Sequence, residues 1–393
     1  MITSFTFSRV PVIYFGAGKF GLLGEIISRF GRKALVVTGE RSFVTSGGKE
    51  ALGQILDEKS ITPVFVSVSG EPSPEFIDTV VSRYRDYGID TVCAVGGGSV
   101  IDAGKAISAM LPHDDSVFEY LEGVGTGKMH DGVKVSLIAV PTTAGTGSEA
   151  TKNAVLSRVG RDGFKKSLRH DNFVPDVAVI DPELALSCPP SVTAASGMDA
   201  FCQLLESYVS PQATPMTDAL AISGLSHVSE NLVPACTTGA QNPGVRAGMA
   251  YGALLSGITL ANAGLGVVHG LASVLGGLFP IPHGTICGTL VRAATEATIE
   301  QLKKGKGSAV DALEKYARVG ALVSDSDCVD RERCCCQLVE KLHEWTEVLK
   351  LPLLGEFGVT RSDIDLIIER TENKNNPAQL ERDVIRRVIE SRI

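Results

Sequence analysis

Histidine is scarce in this chain, and the signatures of several common protein classes are absent. Seven of the 393 residues are histidines. No uninterrupted apolar run reaches the ~18 residues of a membrane span, and the N-terminus lacks the basic region and apolar core of a signal peptide. Basic residues do not outnumber acidic ones (37 against 45, net charge −8). This balance disfavours nucleic acid or an anionic membrane as the main partner.

The nine cysteines also lack the spacing of a disulfide framework. Cys93 lies in a predicted strand, and Cys202 and Cys287 lie in apolar segments. Cys334 to Cys336 are consecutive, so on a helix they point in different directions and form no CxxC metal site. The sequence therefore predicts a reducing, cytoplasmic setting.

Two regions of different character divide the chain. Apolar strands alternate with amphipathic helices up to Val177–Pro182, which predicts a parallel, Rossmann-like sheet covered on both faces. From Ser191 onward the segments have helical periodicity. We therefore expect an α/β domain over 1–186 and an all-α domain over 187–393. Helices are predicted to end at about Phe30, Tyr87 and Leu275.

Two glycine-rich loops follow neighbouring predicted strands of the first domain. Gly96–Ser99 opens a helix, where backbone N–H groups and the helix dipole favour an anion. It is not the G-x-G-x-x-G fingerprint, and a tight turn without a ligand is the alternative. Pro141–Glu149 ends another strand. Together the loops predict a nucleotide phosphate site in a crevice at the carboxyl ends of the strands, with a Cβ at Gly98 expected to collide with the pyrophosphate.

His269 and His283 lie in a stretch of small and apolar residues in the second domain. Pro280 and Pro282 separate two predicted helices, so each helix delivers one imidazole. Asp199 begins another predicted helix and shares a face with Gln203. Two imidazoles and a carboxylate suit Zn²⁺ or Fe²⁺ with an open position. Histidines satisfied within the core, and a carboxylate that stabilises a helix N-terminus, are the alternatives.

Five separated motifs resemble the iron-containing (group III) alcohol dehydrogenase family. They are Gly-Gly-Gly-Ser-x-x-Asp-x-x-Lys at 96–105, Pro-Thr-Thr-Ala-Gly-Thr-Gly-Ser-Glu at 141–149, Asp-Pro-Glu-Leu at 181–184, Gly-Met-Asp-Ala at 197–200 and Pro-His-Gly at 282–284. The resemblance implies reversible hydride transfer between a small alcohol and NAD or NADP. It also implies a dehydroquinate synthase-like architecture with the site between the two domains.

The resemblance assigns roles to individual residues. For the nucleotide it implies Gly39, Gly97, Gly98, Ser99, Asp102, Thr142, Thr143, Ser148, Lys165 and Leu184. For the metal it implies Asp199, His269 and His283, with Gln203 where family members usually have a fourth ligand, a histidine. His269 and His283 are also taken as catalytic, together with Ser273, which stands where many members carry a second histidine near the substrate.

Cofactor and partner expectations follow from the same resemblance. One divalent metal is expected, Fe²⁺ before Zn²⁺. Gly39 replaces the aspartate of NAD-specific members, so NADPH should be tolerated, although the adjacent Glu40 could take over the aspartate's role. A small-molecule alcohol or aldehyde substrate and a homodimer are expected. Two other interpretations remain: a metal-poor nucleotide-binding relative, and an NAD- and metal-dependent lyase on the same fold.

Overall fold

The computed structural model describes residues 4–393, and these form two compact units. The α/β unit comprises Ser8–Arg158 and Lys165–Cys188. The helical unit comprises Pro189–Ile393 with Val159–Phe164 and the described residues 4–7. Val159–Phe164, which the sequence analysis places in the first domain, thus groups with the helices.

The α/β unit is built on a six-stranded sheet in the order β1-β8-β5-β4-β2-β3, with every pair parallel. The strands are β1 (Val12–Phe15), β2 (Lys33–Gly39), β3 (Thr62–Val68), β4 (Thr91–Gly96), β5 (Ser136–Pro141), β6 (Asn153–Arg158), β7 (Phe164–Arg169) and β8 (Val177–Ile180). Strands β6 and β7 form a separate two-stranded sheet. The central strand β4 is buried on both faces, as an apolar run in a parallel sheet requires.

Five helices accompany this sheet: α1 (Leu23–Ser28), α2 (Ser42–Thr45), α3 (Gly48–Asp57), α4 (Pro74–Tyr84) and α5 (Gly98–Met110). The strand order places the carboxyl ends of β2, β4 and β5 side by side, because β4 pairs with both of the others. Gly96 is in register with Pro141. The two glycine-rich loops therefore leave the same edge of the sheet.

Nine helices build the described part of the helical unit. They are α6 (Pro190–Val209), α7 (Pro215–Cys236), α8 (Pro243–Ala263), α9 (Val267–Leu278), α10 (His283–Leu302), α11 (Ser308–Val323), α12 (Arg331–Val348), α13 (Ile364–Arg370) and α14 (Arg382–Glu390). Helices α6, α8 and α10 bury residues around most of their circumference, as helices central to a core do. Pro282 precedes the first residue of α10.

The fold class agrees with the sequence prediction, whereas some element ends do not. Helix α1 ends at Ser28 because the next amides, of Arg29 and Phe30, bond three residues back in a tightened turn. Helix α4 ends at Tyr84 and a 3₁₀ turn continues to Tyr87, and α9 runs on to Leu278. Strands β6 and β7 were not predicted, since their charged residues obscure an alternating pattern.

Among the described residues, no single helix has both the length and the apolar composition needed to cross a bilayer. Helices α8 and α9 meet those two criteria only when taken as a pair, and they are bent by 101° relative to each other.

Candidate active site

Three helices of the helical unit bring together the residues that the sequence analysis named as metal ligands. Asp199 lies in the middle of α6, His269 is the third residue of α9, and His283 is the first residue of α10. Asp199 Oδ1 is 3.4 Å from His269 Nε2 and 3.7 Å from His283 Nε2. Asp199 and His269 are buried and His283 is half-buried. One carboxylate oxygen thus faces two imidazole nitrogens.

Cys287 joins this group, and the sequence analysis missed it. Its Sγ lies 3.6 Å from His269 Nε2 and 3.8 Å from His283 Nε2. One donor atom from each of Asp199, His269, His283 and Cys287 lies within 4.8 Å of the other three. Burial raises the pKa of the Cys287 thiol well above its ordinary value. Its spacing in the sequence could have identified it, because Cys287 follows His283 by four residues, one helical turn.

Glu206 fixes the orientation of His269. Its Oε2 is 2.7 Å from His269 Nδ1, and its Oε1 accepts a 2.8 Å hydrogen bond from the Val268 amide. With Nδ1 engaged, Nε2 is the nitrogen left to face Asp199. A carboxylate bonded to the second nitrogen of an imidazole is typical of metal-binding histidines. Glu206 was also missed, although it lies two turns after Asp199 on the same helix.

Gln203 lies beside Asp199 and holds its other oxygen. The Gln203 Nε2 donates to Asp199 Oδ2 at 3.1 Å, and the Ser256 hydroxyl lies 2.7 Å from Gln203 Oε1. Asp199 Oδ1, in contrast, accepts no hydrogen bond from the described residues although it is buried. A buried carboxylate oxygen without such a bond is costly. Together with two imidazoles and a thiol, this oxygen fits a divalent metal.

Ser273 lies one turn after His269 on α9, next to Lys374. The Lys374 Nζ donates to the His269 carbonyl oxygen at 3.2 Å and lies 3.5 Å from Ser273 Oγ. This approach depends on Gly270, because a Cβ there would lie 2.1 Å from the Glu372 carbonyl oxygen. The sequence analysis missed Lys374, which is distant from Ser273 in sequence.

In the α/β unit, the two glycine-rich loops pack against each other. A Cβ on Gly98 would lie 2.6 Å from Thr146 Cγ2, and one on Gly97 would lie 3.3 Å from Thr143 Oγ1. Gly98 is therefore required by the loop itself, so a collision with pyrophosphate is not the sole expected effect of a side chain there. No side chain caps the N-terminus of α5. Its first-turn amides, Ser99 among them, suit a phosphate.

Asp102 and Ser148 belong to a buried cluster around Lys105. The Lys105 Nζ donates to Ser148 Oγ at 3.0 Å, Thr151 Oγ1 at 2.8 Å and the Asn153 carbonyl at 2.8 Å. Ser148 in turn donates to Asp102. All three protons of the ammonium group are thus used.

Burial shifts the pKa values of this Lys105 cluster. It lowers the pKa of Lys105 to about 8 and raises the pKa of Asp102. Glu149, also buried, has its pKa raised to about 7 for the same reason. In each case desolvation disfavours the charged form.

The remaining predicted nucleotide residues are more dispersed. Gly39 ends β2 with Glu40 exposed beside it, and Thr142 donates its amide proton to the Gly96 carbonyl at 3.0 Å. The Lys165 ammonium pairs with Glu71. Leu184 is partly buried against the core of the unit. The structure therefore groups the loop residues, whereas Lys165 and Leu184 have other neighbours.

Comparison with known proteins identifies the family of this chain. A family model described as iron-containing alcohol dehydrogenase matches residues 11–182, and a model of the C-terminal part of the same family matches residues 193–393. The chain belongs to the iron-containing alcohol dehydrogenase family. It is an NAD(P)-dependent, metal-dependent oxidoreductase of alcohols and aldehydes, which confirms the predicted family, fold and enzyme class.

Individual iron-containing alcohol dehydrogenases and their relatives match over nearly the whole chain. Long-chain-alcohol dehydrogenase 1 of Geobacillus thermodenitrificans is 32% identical, over 90% of this chain and 87% of its own length. NADPH-dependent butanol dehydrogenase of Clostridium saccharobutylicum is 30% identical, over 96% and 95%. The structure of sulfoacetaldehyde reductase from Bifidobacterium kashiwanohense in complex with NAD⁺ matches with a TM-score of 0.85 at 26% identity, over 99% of each chain.

Proposed function

We propose that this chain interconverts a small alcohol and its aldehyde or ketone, with Asp199, His269 and His283 holding one divalent metal. The observation that carries the proposal is the buried Asp199 Oδ1, which accepts no hydrogen bond from the described residues and faces two imidazole nitrogens. When bound, such a metal supplies Lewis acidity toward the substrate oxygen, while a nicotinamide accepts or delivers hydride. The resemblance favours Fe²⁺ over Zn²⁺.

The chain's own residues prepare this site. Glu206 holds the His269 ring with Nε2 directed at Asp199, and Gln203 fixes the Asp199 carboxylate through Oδ2. Both contacts limit side-chain rotation, which keeps the two donors in place. Coordination by Gln203 itself stays a prediction, since its amide nitrogen is directed at Asp199 and its oxygen is at the Ser256 hydroxyl.

For the nucleotide, we assign the phosphate contacts to the first turn of α5 and the loop that packs on it. The support is an N-terminus without a side-chain cap, beside which Gly97 and Gly98 let the Pro141–Glu149 loop pack closely. Thr142 and Thr143 belong to the neighbouring loop at the same sheet edge. Ser148 and Asp102, held inside the Lys105 cluster, support the loop from behind. Lys165 and Leu184 as ribose and adenine contacts stay predictions.

Tolerance of NADPH is proposed from the end of β2. Gly39 offers no carboxylate to repel a 2′-phosphate, and a Cβ there would have its nearest neighbour at 3.7 Å. We expect kcat/KM with NADPH within ~1000-fold, roughly 4 kcal/mol, of that with NADH. Gly39→Asp should shift the ratio toward NADH. A strict NADH requirement of the unaltered chain would contradict the proposal and assign the role to Glu40.

Proton transfer is assigned to Ser273 with Lys374 beside it. A hydroxyl 3.5 Å from an ammonium group and one turn from His269 can relay a proton through water.

Two further proposals concern the location of the protein and its oligomeric state. A cytoplasmic location is supported by nine cysteines without a disulfide. A homodimer is supported by the edge strand β1, where Val12 is 59% exposed.

The decisive experiment is an aldehyde panel with NADH and NADPH, with metal content measured on the same sample. We expect aldehyde-dependent oxidation of the reduced nucleotide that a chelator abolishes and a divalent metal restores. Full turnover in metal-free protein would contradict the metal assignment. No turnover on any aldehyde, with no bound metal, would favour the nucleotide-binding interpretation.

A further inference from the structure

We propose that Cys287 is a fourth protein ligand of the metal, coordinating as a thiolate. The inference rests on the proposed metal site and adds a donor to it. A different fourth ligand is needed in this chain, because Gln203 stands where family members usually have a histidine.

The separations match the edges of a coordination tetrahedron. Metal bonds of ~2.0–2.1 Å to nitrogen or oxygen and ~2.3 Å to sulfur, at tetrahedral angles, place neighbouring donors ~3.3–3.6 Å apart. Cys287 Sγ is 3.6 and 3.8 Å from the His269 and His283 Nε2 atoms, and Asp199 Oδ1 is 3.4 and 3.7 Å from the same two atoms. The thiol therefore occupies a ligand position relative to both imidazoles.

Gln203 is placed to support Asp199. Its amide nitrogen is directed at Asp199 Oδ2, and its oxygen meets the Ser256 hydroxyl. An amide oxygen is also an uncharged, weaker donor for Zn²⁺ or Fe²⁺ than a thiolate. The fourth donor consequently comes from α10, on the turn that follows His283, and not from α6.

A second buried cysteine provides a matched control. Cys202 also lies near His269, in a group with Glu206. In that group, Glu206 Oε2 lies 2.7 Å from His269 Nδ1. Both cysteines are fully buried in the helical unit. The Cys287 Sγ, by contrast, lies within 3.8 Å of both Nε2 atoms.

A thiolate changes which metal the site prefers. Soft sulfur donors favour Zn²⁺ over Fe²⁺, whereas carboxylate and imidazole accept either. Two anionic donors, Asp199 and Cys287, would balance the charge of a divalent ion. Zinc sites expand to five-coordination, so four protein donors are compatible with catalysis. We expect the purified enzyme to retain Zn²⁺ or Co²⁺ more firmly than Fe²⁺.

Cobalt substitution tests the ligand directly. Metal-free protein loaded with Co²⁺ should show a thiolate-to-cobalt charge-transfer band in the near ultraviolet. The band should persist in Cys202→Ser and be absent in Cys287→Ser, whose affinity for Co²⁺ should fall at least about 10-fold. An unaltered chain that binds one Co²⁺ without the band, or a Cys287→Ser protein that keeps it, would overturn the proposal.

X-ray absorption on the unaltered zinc enzyme gives a test that needs no folded variant. One sulfur scatterer at ~2.3 Å is expected, and a shell of nitrogen and oxygen alone would refute a cysteine ligand. The Asp199→Ala variant distinguishes failure of the proposed metal site from failure of the Cys287 proposal. If Asp199→Ala binds Co²⁺ as tightly as the unaltered chain, the metal site itself is misplaced. If Cys287→Ser binds Co²⁺ as tightly as the unaltered chain while Asp199→Ala does not, the metal site is correct and Cys287 is not one of its ligands.

Discussion

Each unit buries a cluster of polar and ionisable side chains, and the two clusters differ in how completely their atoms are paired. In the α/β unit, the Lys105 ammonium has three acceptors within 3.0 Å. In the helical unit, Asp199 Oδ1 accepts no hydrogen bond from the described residues. A buried group paired within the chain stabilises that chain's fold, whereas one left unpaired calls for a ligand from outside.

The comparison also separates two uses of burial. Around Lys105, burial shifts the pKa of Lys105 to about 8 and that of Glu149 to about 7. The polar groups of this cluster are nevertheless paired with one another. Around Asp199, the donors come from α6, α9 and α10, and all of them except His283 are buried. Perturbed pKa values occur in both clusters, since those of His269 and Cys287 are also raised. What separates the two clusters is Asp199 Oδ1, which accepts no hydrogen bond from the described residues.

The largest expected effect is at the incompletely paired cluster. His269→Ala removes one ligand and leaves Glu206 without its imidazole, so we expect loss of bound metal and a fall in kcat/KM of at least about 1000-fold. Steady-state kinetics and metal analysis on the same preparation measure both. The control is His227→Ala, which removes a histidine of α7 whose ring forms a hydrogen bond at the surface. If His269→Ala retained its metal, the cluster around Asp199 would not be the metal site, and the proposed difference between the two clusters would be wrong.

Lys105→Met tests the self-paired cluster. It removes the Lys105 ammonium from beside the half-buried Asp102 and the buried Glu149, so the free energy of unfolding should fall by about 3–5 kcal/mol. Denaturant titration measures this change. Lys152→Met, which breaks an exposed ion pair with Asp171, should cost less than about 1 kcal/mol. A large loss of metal affinity with unchanged stability in Lys105→Met would show that the cluster is not mainly structural.

Glu149→Gln tests the pKa shift within that cluster. The folded pKa is about 7 against an ordinary value of 4.5. Between these pH values the folded chain holds a proton that the unfolded chain has released, so this group's contribution to stability is present at low pH and declines as pH rises through the window. The decline should amount to about 3 kcal/mol and be missing in Glu149→Gln. Parallel stability curves for the two proteins would contradict the shift.

Ser273→Ala probes the margin of the metal-binding cluster and should have the smallest effect. If Ser273 relays a proton, kcat should fall about 10- to 100-fold with altered pH dependence and unchanged metal content. Ser196→Ala, on α6, removes a hydroxyl that bonds to the Val192 carbonyl and should leave the pH profile intact. A uniform loss of rate at every pH would indicate a structural role for Ser273.

The sequence by itself determined the alternation of strands and helices, the two glycine-rich loops at strand ends, and the pairing of Asp199 with two scarce histidines. The first two features are local, since each depends on periodicity or turn residues within about ten positions. The third joins separate motifs, because His269 and His283 lie 70 and 84 positions after Asp199. The parallel order of β2, β4 and β5 then brings the loops to one edge.

Only the tertiary structure decided which further side chains meet the predicted ligands. Glu206 and Cys287 contact His269 from 63 and 18 residues away, and Lys105 meets Ser148 across 43 residues. Helical periodicity tells which face a residue occupies but not which other helix that face meets. The composition of the metal-binding cluster was therefore fixed by the packing of α6, α9 and α10. The local spacing of His283 and Cys287 places both on one face of α10, but it does not tell that this face meets α6 and α9.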